Sequence, residues 1–163
     1  LDPETVAGSL SGFACGFGRM EKFRIHDTDV RMILIKNPAG CNQVLNFLTA
    51  RPEPFVFAAC LNDRAQDGTD VSWIWDVDFE RLTAMDRTLA EIYVSGIRAE
   101  DMALRVKYAG FPTERLHVVK DCRQLVEQAT SHGLPVFAMP TYTAMLDLRG
   151  TISKAYGFKE FWE

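Results

Sequence analysis

Phe55-Val56-Phe57-Ala58-Ala59-Cys60-Leu61 is an unbroken apolar run, and it leads directly into Asn62-Asp63-Arg64-Ala65-Gln66-Asp67-Gly68-Thr69-Asp70-Val71-Ser72-Trp73-Ile74-Trp75-Asp76-Val77-Asp78-Phe79-Glu80. A run of β-formers and small residues without polar alternation describes a strand covered on both faces, as in a parallel sheet. Polar residues at the carboxyl end of such a strand lie where open α/β sheets bind ligands. A plainer reading makes the segment a solvated loop that caps a helix through Asp67, Asp70 or Ser72. Two indoles argue for more than that, because each wants an apolar bed and a partner for its N–H. Trp73 and Trp75 should therefore fix the loop and hold its acids in place.

Outward from this run, strands and helices alternate. Phe23 to Ile25 and Val30 to Ile35 form a hairpin-like pair around the polar turn His26 to Asp29. Asn37-Pro38-Ala39-Gly40 punctuates, and Cys41 to Thr49 is a helix with Val44, Leu45 and Leu48 on one face. After the tryptophans, a helix runs from Phe79 towards Met85. Ala90 to Val94 is a strand ending at Ser95-Gly96, and Ala99 to Ala109 a helix with Met102, Val106 and Ala109 on one face. Leu116 to Val119 is a short strand, Cys122 to Ala129 a helix, Pro135 to Met139 a strand, and Tyr142 to Leu148 a helix. This alternation predicts an α/β fold of βαβ units, with a mostly parallel sheet flanked by helices. Residues 1–18 are Gly/Ser-rich and read as a linker or the remnant of a preceding domain, leaving 19–163 as one domain. The chain opens on Leu1 rather than Met, as expected of a piece of a longer protein.

The chain has 163 residues, of which 47% are hydrophobic and 25% charged, enough for a full core and unlike a disordered segment. A net charge of -4 argues against a general nucleic-acid footprint, which needs a basic stripe. No apolar run approaches the roughly 20 residues that cross a bilayer. The cysteines, Cys15, Cys41, Cys60 and Cys122, form no CxxC pair, so a metal site is not expected and a reducing cytoplasm is the natural setting.

Function must be argued from the strand ends, since fold alone implies none. Lys36-Asn37-Pro38, Asn62-Asp63-Arg64, Ser95-Gly96-Ile97-Arg98 and Pro140-Thr141-Tyr142-Thr143 each follow a strand, and a parallel sheet brings them to one edge. Lys36 and Arg98 offer charge to phosphate or carboxylate, and Asn37 and Asn62 offer paired donors and acceptors. Carboxyl ends of strands carry polar loops in any case, so the clustering alone is weak. There is no GxxxxGK[ST] loop, GxGxxG, GxSxG or HExxH, and His26, His117 and His132 are scattered. An independent hydrolase or nucleotide-binding enzyme is disfavoured, and His117 is expected to pack within its strand.

Gly18-Arg19-Met20-Glu21, Lys36-Asn37-Pro38-Ala39-Gly40, the Leu61 to Glu80 segment with Asp70-Val71-Ser72-Trp73-Ile74-Trp75-Asp76, Ser95-Gly96-Ile97-Arg98 through Arg105, and Thr141-Tyr142-Thr143-Ala144-Met145 together resemble the carboxy-terminal domain of the MurT family. These are the Mur-ligase-like subunits of lipid II isoglutaminyl synthases. The resemblance implies a Mur-ligase C-terminal-domain-like, Rossmann-like fold. It implies an ATP- and Mg2+-dependent amidation in which the D-glutamate α-carboxyl of lipid II is phosphorylated and ammonia from a GatD-like glutaminase displaces the phosphate. The family's P-loop and zinc lie in a central domain absent from this chain, so the fragment alone should be inactive. The setting implied is the cytoplasm, at the inner face of the membrane.

By the same resemblance, Arg19 and Asn37, with Lys36 beside it, are expected on the nucleotide side. Arg98 would read a substrate carboxylate, with Asn62 and Asp63 nearby. An acid of the tryptophan segment would complete the partner's Cys–His triad: Asp76 first, Asp70 second, Asp63 third. Two other readings stay open. One is a docking scaffold anchored by the tryptophans that lends no catalytic group, and the other is a stand-alone small α/β binding protein.

Overall fold

A computed structural model describes residues 20–158 of the chain. Strands β1 (Met20–Ile25), β2 (Thr28–Ile33), β3 (Phe55–Cys60), β4 (Leu89–Ser95), β5 (Leu116–Val118) and β6 (Val136–Pro140) form one sheet in the order β1-β2-β6-β3-β4-β5. Only β1 and β2 pair antiparallel, joined by a tight turn in which His26 and Asp27 both take positive φ, of 48° and 60°. Two consecutive left-handed residues match the right-handed twist of a hairpin. All other pairs are parallel. The expected mostly parallel α/β sheet is the one observed.

The apolar run of β3 occupies the interior of the sheet, between β6 and β4, and all six residues are buried. Its side chains alternate: Phe55, Phe57 and Ala59 enter one core, while Val56, Ala58 and Cys60 enter the other. The first core is closed by helices α1 (Pro38–Thr49), α2 (Arg81–Ala84) and α3 (Ala99–Tyr108) and by a 3-10 turn at Ser72–Asp76. The second is closed by α4 (Cys122–Thr130) and α5 (Tyr142–Tyr156). Because connections from adjacent strands β3 and β6 leave towards opposite faces, a crevice opens between their carboxyl ends.

Several boundaries depart from expectation, each for a physical reason. The second strand spans Thr28 to Ile33 rather than Val30 to Ile35, because the tight turn pulls Thr28 into register with Ile25. Asn37 and Pro38 do not merely punctuate. Asn37 is the N-cap of α1, accepting the Gly40 amide on Oδ1 at 2.9 Å, and Pro38 begins the helix, where its missing N–H costs nothing. The helix expected over Phe79 to Met85 is a single turn at Arg81–Ala84. Helix α5 runs eight residues past Leu148 to end at Tyr156, through Gly150. An interior glycine costs about 1 kcal/mol, and the buried Ile152 beyond it offsets this before Gly157, at φ 73°, closes the helix.

Candidate functional site

The carboxyl ends of β2, β6, β3 and β4 lie side by side, so the four polar clusters share one edge. Asn62 is their hub, buried to 2% exposure. Its amide donates to Thr141 Oγ1 at 3.0 Å, its Nδ2 donates to Thr143 Oγ1 at 2.9 Å, and its Oδ1 accepts the Ile97 amide at 2.8 Å. One side chain thereby ties the loops after β3, β6 and β4 together. A buried amide with all these groups satisfied holds one geometry, since each broken bond would strand a polar atom. Gly96 sits against this hub at φ 92°, and a Cβ there would strike the Leu61 carbonyl and come within 2.8 Å of Asn62 Oδ1.

Asp67 extends the network and was not singled out as a site residue from sequence. Its carboxylate accepts the Thr143 amide at 2.7 Å, the Thr143 hydroxyl at 2.5 Å and the Arg64 amide at 3.1 Å. A loop carboxylate thus occupies the amino end of α5 from another part of the chain. Lys36, Gln66, Asp67, Thr141 and Tyr142 line a groove of about 300 Å³ at this edge. A second hollow of about 240 Å³ is lined by Cys60, Asn62, Gly96, Lys120, Cys122 and Asp147.

Arg98 is held by two acids. Its Nη1 donates to Asp63 Oδ2 at 2.9 Å, while Nε and Nη2 donate to Asp101 at 2.7 and 3.1 Å. These bonds, Asp101 first and then Asp63, raise the arginine's pKa and hold Asp101 below the usual carboxylate range. Lys36 is exposed at the groove rim. Asn37 spends Oδ1 on its own helix, which leaves Nδ2 as its donor to any ligand. Arg19 lies outside the described residues.

The acid and tryptophan segment is fixed from beneath. Ile74, Val77 and Phe79 are buried and Trp73 packs against the same core, whereas Trp75 is 48% exposed, edge-to-face with Tyr108 at 5.8 Å. Asp76 is exposed and makes no side-chain hydrogen bond or ion pair among the described residues. Asp70 is engaged: its carboxylate accepts the Ser72 amide at 2.8 Å, and this bond with the Ser72 hydroxyl lowers its pKa. The buried Arg105 of α3 reaches under the turn. It donates to the carbonyls of Ile74 at 3.1 Å and Val77 at 2.7 Å and forks onto Glu80 at 2.9 Å and 2.9 Å. The signal was its register, three residues after Met102 and next to Val106 on the apolar face of α3.

The edge and the tryptophan turn are therefore two separate polar features, joined through residues 62–72. The histidines belong to neither. His117 stacks on Tyr93 at 4.9 Å and bonds Glu91 at 2.7 Å, His132 meets the Tyr93 hydroxyl at 2.8 Å, and His26 bonds Glu127 at 3.1 Å. Among the described residues, no group of His, Cys, Asp and Glu is placed to hold a metal ion, and no helix is long and apolar enough to cross a membrane. Cys41 and Cys60 are free, buried thiols, and burial pushes Cys41 up to about 12.

The chain has relatives among known proteins. Over 134 residues the chain is 37% identical to the lipid II isoglutaminyl synthase (glutamine-hydrolyzing) subunit MurT of Streptococcus pneumoniae, covering 82% of this chain and 30% of that protein. It is 30% identical over 156 residues to the MurT subunit of Staphylococcus aureus, covering 96% of this chain and 35% of the relative. The chain thus spans about a third of the curated relatives it matches. Among solved structures, folylpolyglutamate synthase from Mycobacterium tuberculosis, complexed with ADP, superposes with a TM-score of 0.55 at 18% identity, over 83% of this chain and 32% of that one. Folylpolyglutamate synthase from Thermotoga maritima gives 0.56 at 16%, over 88% and 32%. These two establish a shared fold. The MurT ligase C-terminal sequence profile matches residues 34–145, which span the edge, the tryptophan turn and the start of α5, and the chain belongs to that family.

Proposed function

We propose that this domain is the carboxy-terminal part of the ligase subunit of a lipid II isoglutaminyl synthase, working with a GatD-like glutaminase at the cytoplasmic face of the membrane. The whole enzyme phosphorylates the D-glutamate α-carboxyl of lipid II with ATP, and ammonia released from glutamine displaces the phosphate to leave D-isoglutamine. A carboxylate is a poor electrophile until one oxygen becomes a phosphate leaving group. The domain contributes at two places: its sheet edge closes over nucleotide and substrate, and its tryptophan turn lends an acid to the glutaminase. ATP fits the edge only as a partial ligand. Lys36 can meet a phosphate and Asn37 Nδ2 can donate to the nucleotide, while the phosphate-cradling loop and the Mg2+ belong to other parts of the ligase. For this reason the isolated fragment is expected to be inactive.

The observation that carries the second role is the state of the three candidate acids. Asp63 is bonded to Arg98 and Asp70 to Ser72, whereas Asp76 presents an exposed carboxylate that has no side-chain partner among the described residues, on a turn anchored by buried residues. A triad acid must accept the imidazole Nδ1–H, hold one tautomer and stabilise the cation formed when the cysteine proton is taken up. Asp63 would have to share its charge with the Arg98 guanidinium, and Asp70 has one oxygen already committed to Ser72, whereas both oxygens of Asp76 are open to an imidazole. Asp76→Asn in the full ligase subunit, assayed with its glutaminase, should lower glutamine hydrolysis by at least about tenfold and as much as about 10⁴, with complex formation intact. Full activity would move the role to Asp70, tested by Asp70→Asn. If both variants stay active, the domain is a docking scaffold, a reading favoured by the half-exposed Trp75 beside Tyr108.

Arg98 enters the substrate role already paired, so reading a substrate carboxylate requires it to give up Asp63 or Asp101. Arg98→Ala should raise the apparent KM for the lipid substrate, and Asn37→Ala chiefly that for ATP. Unchanged kinetics would remove both from the site.

A further inference from the structure

We infer that Arg105 is the positioning residue that holds Asp76 in place for the glutaminase, an inference resting on the shared-triad reading above. Asp76 makes no side-chain bond among the described residues, so its direction is set by the backbone on either side of it. A carbonyl two residues before it and one directly after it are held by a single guanidinium: Nε donates to Ile74 O at 3.1 Å and Nη2 to Val77 O at 2.7 Å. The remaining donors fork onto the Glu80 carboxylate at 2.9 Å and 2.9 Å, closing residues 74–80 into a loop around one cation. The guanidinium also lies 5.4 Å from the Trp75 ring and 5.5 Å from the Phe79 ring. Four hydrogen bonds and two ring contacts thus meet on a side chain with only 5% exposure.

The turn is too short to hold itself. Within it, the amide of Ile74 bonds Val71 O at 3.2 Å and that of Val77 bonds Ile74 O at 3.4 Å, and 3-10 bonds of this kind have poorer geometry than those of an α-helix. A planar fork with fixed donor directions can satisfy two carbonyls and a carboxylate together. A lysine ammonium, a point charge on a flexible stem, cannot reproduce that geometry. Arg105→Lys should therefore keep the buried charge yet let the Trp75-Asp76 peptide swing. A misplacement of about 1 Å at a catalytic group can cost on the order of 10²-fold.

The test uses the full ligase subunit with its glutaminase, and reads glutamine hydrolysis alongside amidation driven by added ammonium chloride, which bypasses the glutaminase. Arg105→Lys is expected to lower the kcat of glutamine hydrolysis at least tenfold, with KM for glutamine and ammonium-driven amidation within twofold of wild type. The double variant Arg105→Lys/Asp76→Asn should be no slower than Asp76→Asn alone, because a positioning residue has nothing left to position. Wild-type glutaminase activity in Arg105→Lys overturns the inference, as does a parallel loss of ammonium-driven amidation or an additive double variant. Should Arg105→Lys not fold, Glu80→Gln at the more exposed end of the fork is expected to give a smaller drop of the same pattern, and no drop overturns the inference. If Asp76→Asn itself keeps full glutaminase activity, Asp76 is not the triad acid and the reading on which this inference rests has failed at that residue. If only Arg105→Lys is silent, that reading stands and the positioning role does not.

Discussion

The carboxylate of Asp67 caps a helix that begins more than seventy residues later, taking the Thr143 amide at 2.7 Å and its hydroxyl at 2.5 Å. Thr141, the residue at the usual capping position, has turned its own hydroxyl towards the Asn62 amide. The two loops have in effect exchanged capping partners, which fastens the connection after β3 to the helix after β6.

Asp67→Ala should therefore destabilise the domain by roughly 1–3 kcal/mol, the range spanned by a lost helix cap and a lost charge-assisted hydrogen bond. Thr143→Ser, which keeps both groups that bond Asp67, should cost far less. Urea denaturation of the two variants measures the difference, and equal midpoints would show that the cap across the loops contributes nothing.

Gly96→Ala tests the close approach at the hub. The residue sits at φ 92°, where a side chain is strained, and the added methyl has only the Leu61 carbonyl and Asn62 Oδ1 to push against. Backbone strain alone is of order 1–3 kcal/mol, and the collision adds to it. Thermal unfolding should show a marked fall in Tm, and a wild-type Tm would mean the loop can move aside freely.

Asn37 allows its helix cap and its proposed nucleotide contact to be tested apart. Asn37→Ala removes the cap of α1 and should cost about 1 kcal/mol, whereas Asn37→Asp keeps an acceptor for the Gly40 amide and loses the Nδ2 donor. Asn37→Asp should therefore keep wild-type stability while weakening nucleotide use in the full ligase. If Asn37→Asp leaves the KM for ATP unchanged, Asn37 is a helix cap only.

Acid should loosen the ion pairs of the site. Arg105 hydrogen bonds hold Glu80 below its ordinary pKa, and Arg98 does the same for Asp101. A carboxylate whose folded pKa is depressed adds stability that is fully present above its unfolded value and is lost as pH falls through the folded one. Unfolded Asp and Glu titrate at about 3.9 and 4.3, so the urea midpoint should begin to fall below about pH 5 and continue to fall beneath pH 4. Glu80→Gln and Asp101→Asn should each flatten that decline. A midpoint constant from pH 7 to pH 3 would contradict the assignment.

What the sequence made legible was whatever depends on short-range pattern. The apolar run of β3 predicted a strand buried on both faces, and Val44, Leu45, Leu48, Met102 and Val106 were correctly assigned to helix faces turned inward. The polar strand ends were also expected on one edge. Their wiring was not legible, because it joins residues distant in the chain. Asp67 reads locally as a loop acid, and only the crossover through β4 and β5 brings Thr143 to it. Arg98 reads in the sequence as a charge offered to a ligand, whereas in the fold Asp63 and Asp101 hold it from either side. Arg105 was hidden for another reason: a charged residue among apolar ones reads as a break in the stripe, unless something polar is known to sit beneath it.

Strand β3 belongs to both halves of the interior, with Phe55, Phe57 and Ala59 facing one way and Val56, Ala58 and Cys60 the other. Neither layer of helices can come away without exposing one side of this shared wall. The two layers should therefore melt together, and the amides of β3 should be among the last to exchange with solvent. The ledge that carries Asn62 grows directly from the end of that wall. It should thereby share the rigidity of the slowest-opening part of the molecule, as the closing role proposed above for this edge would require.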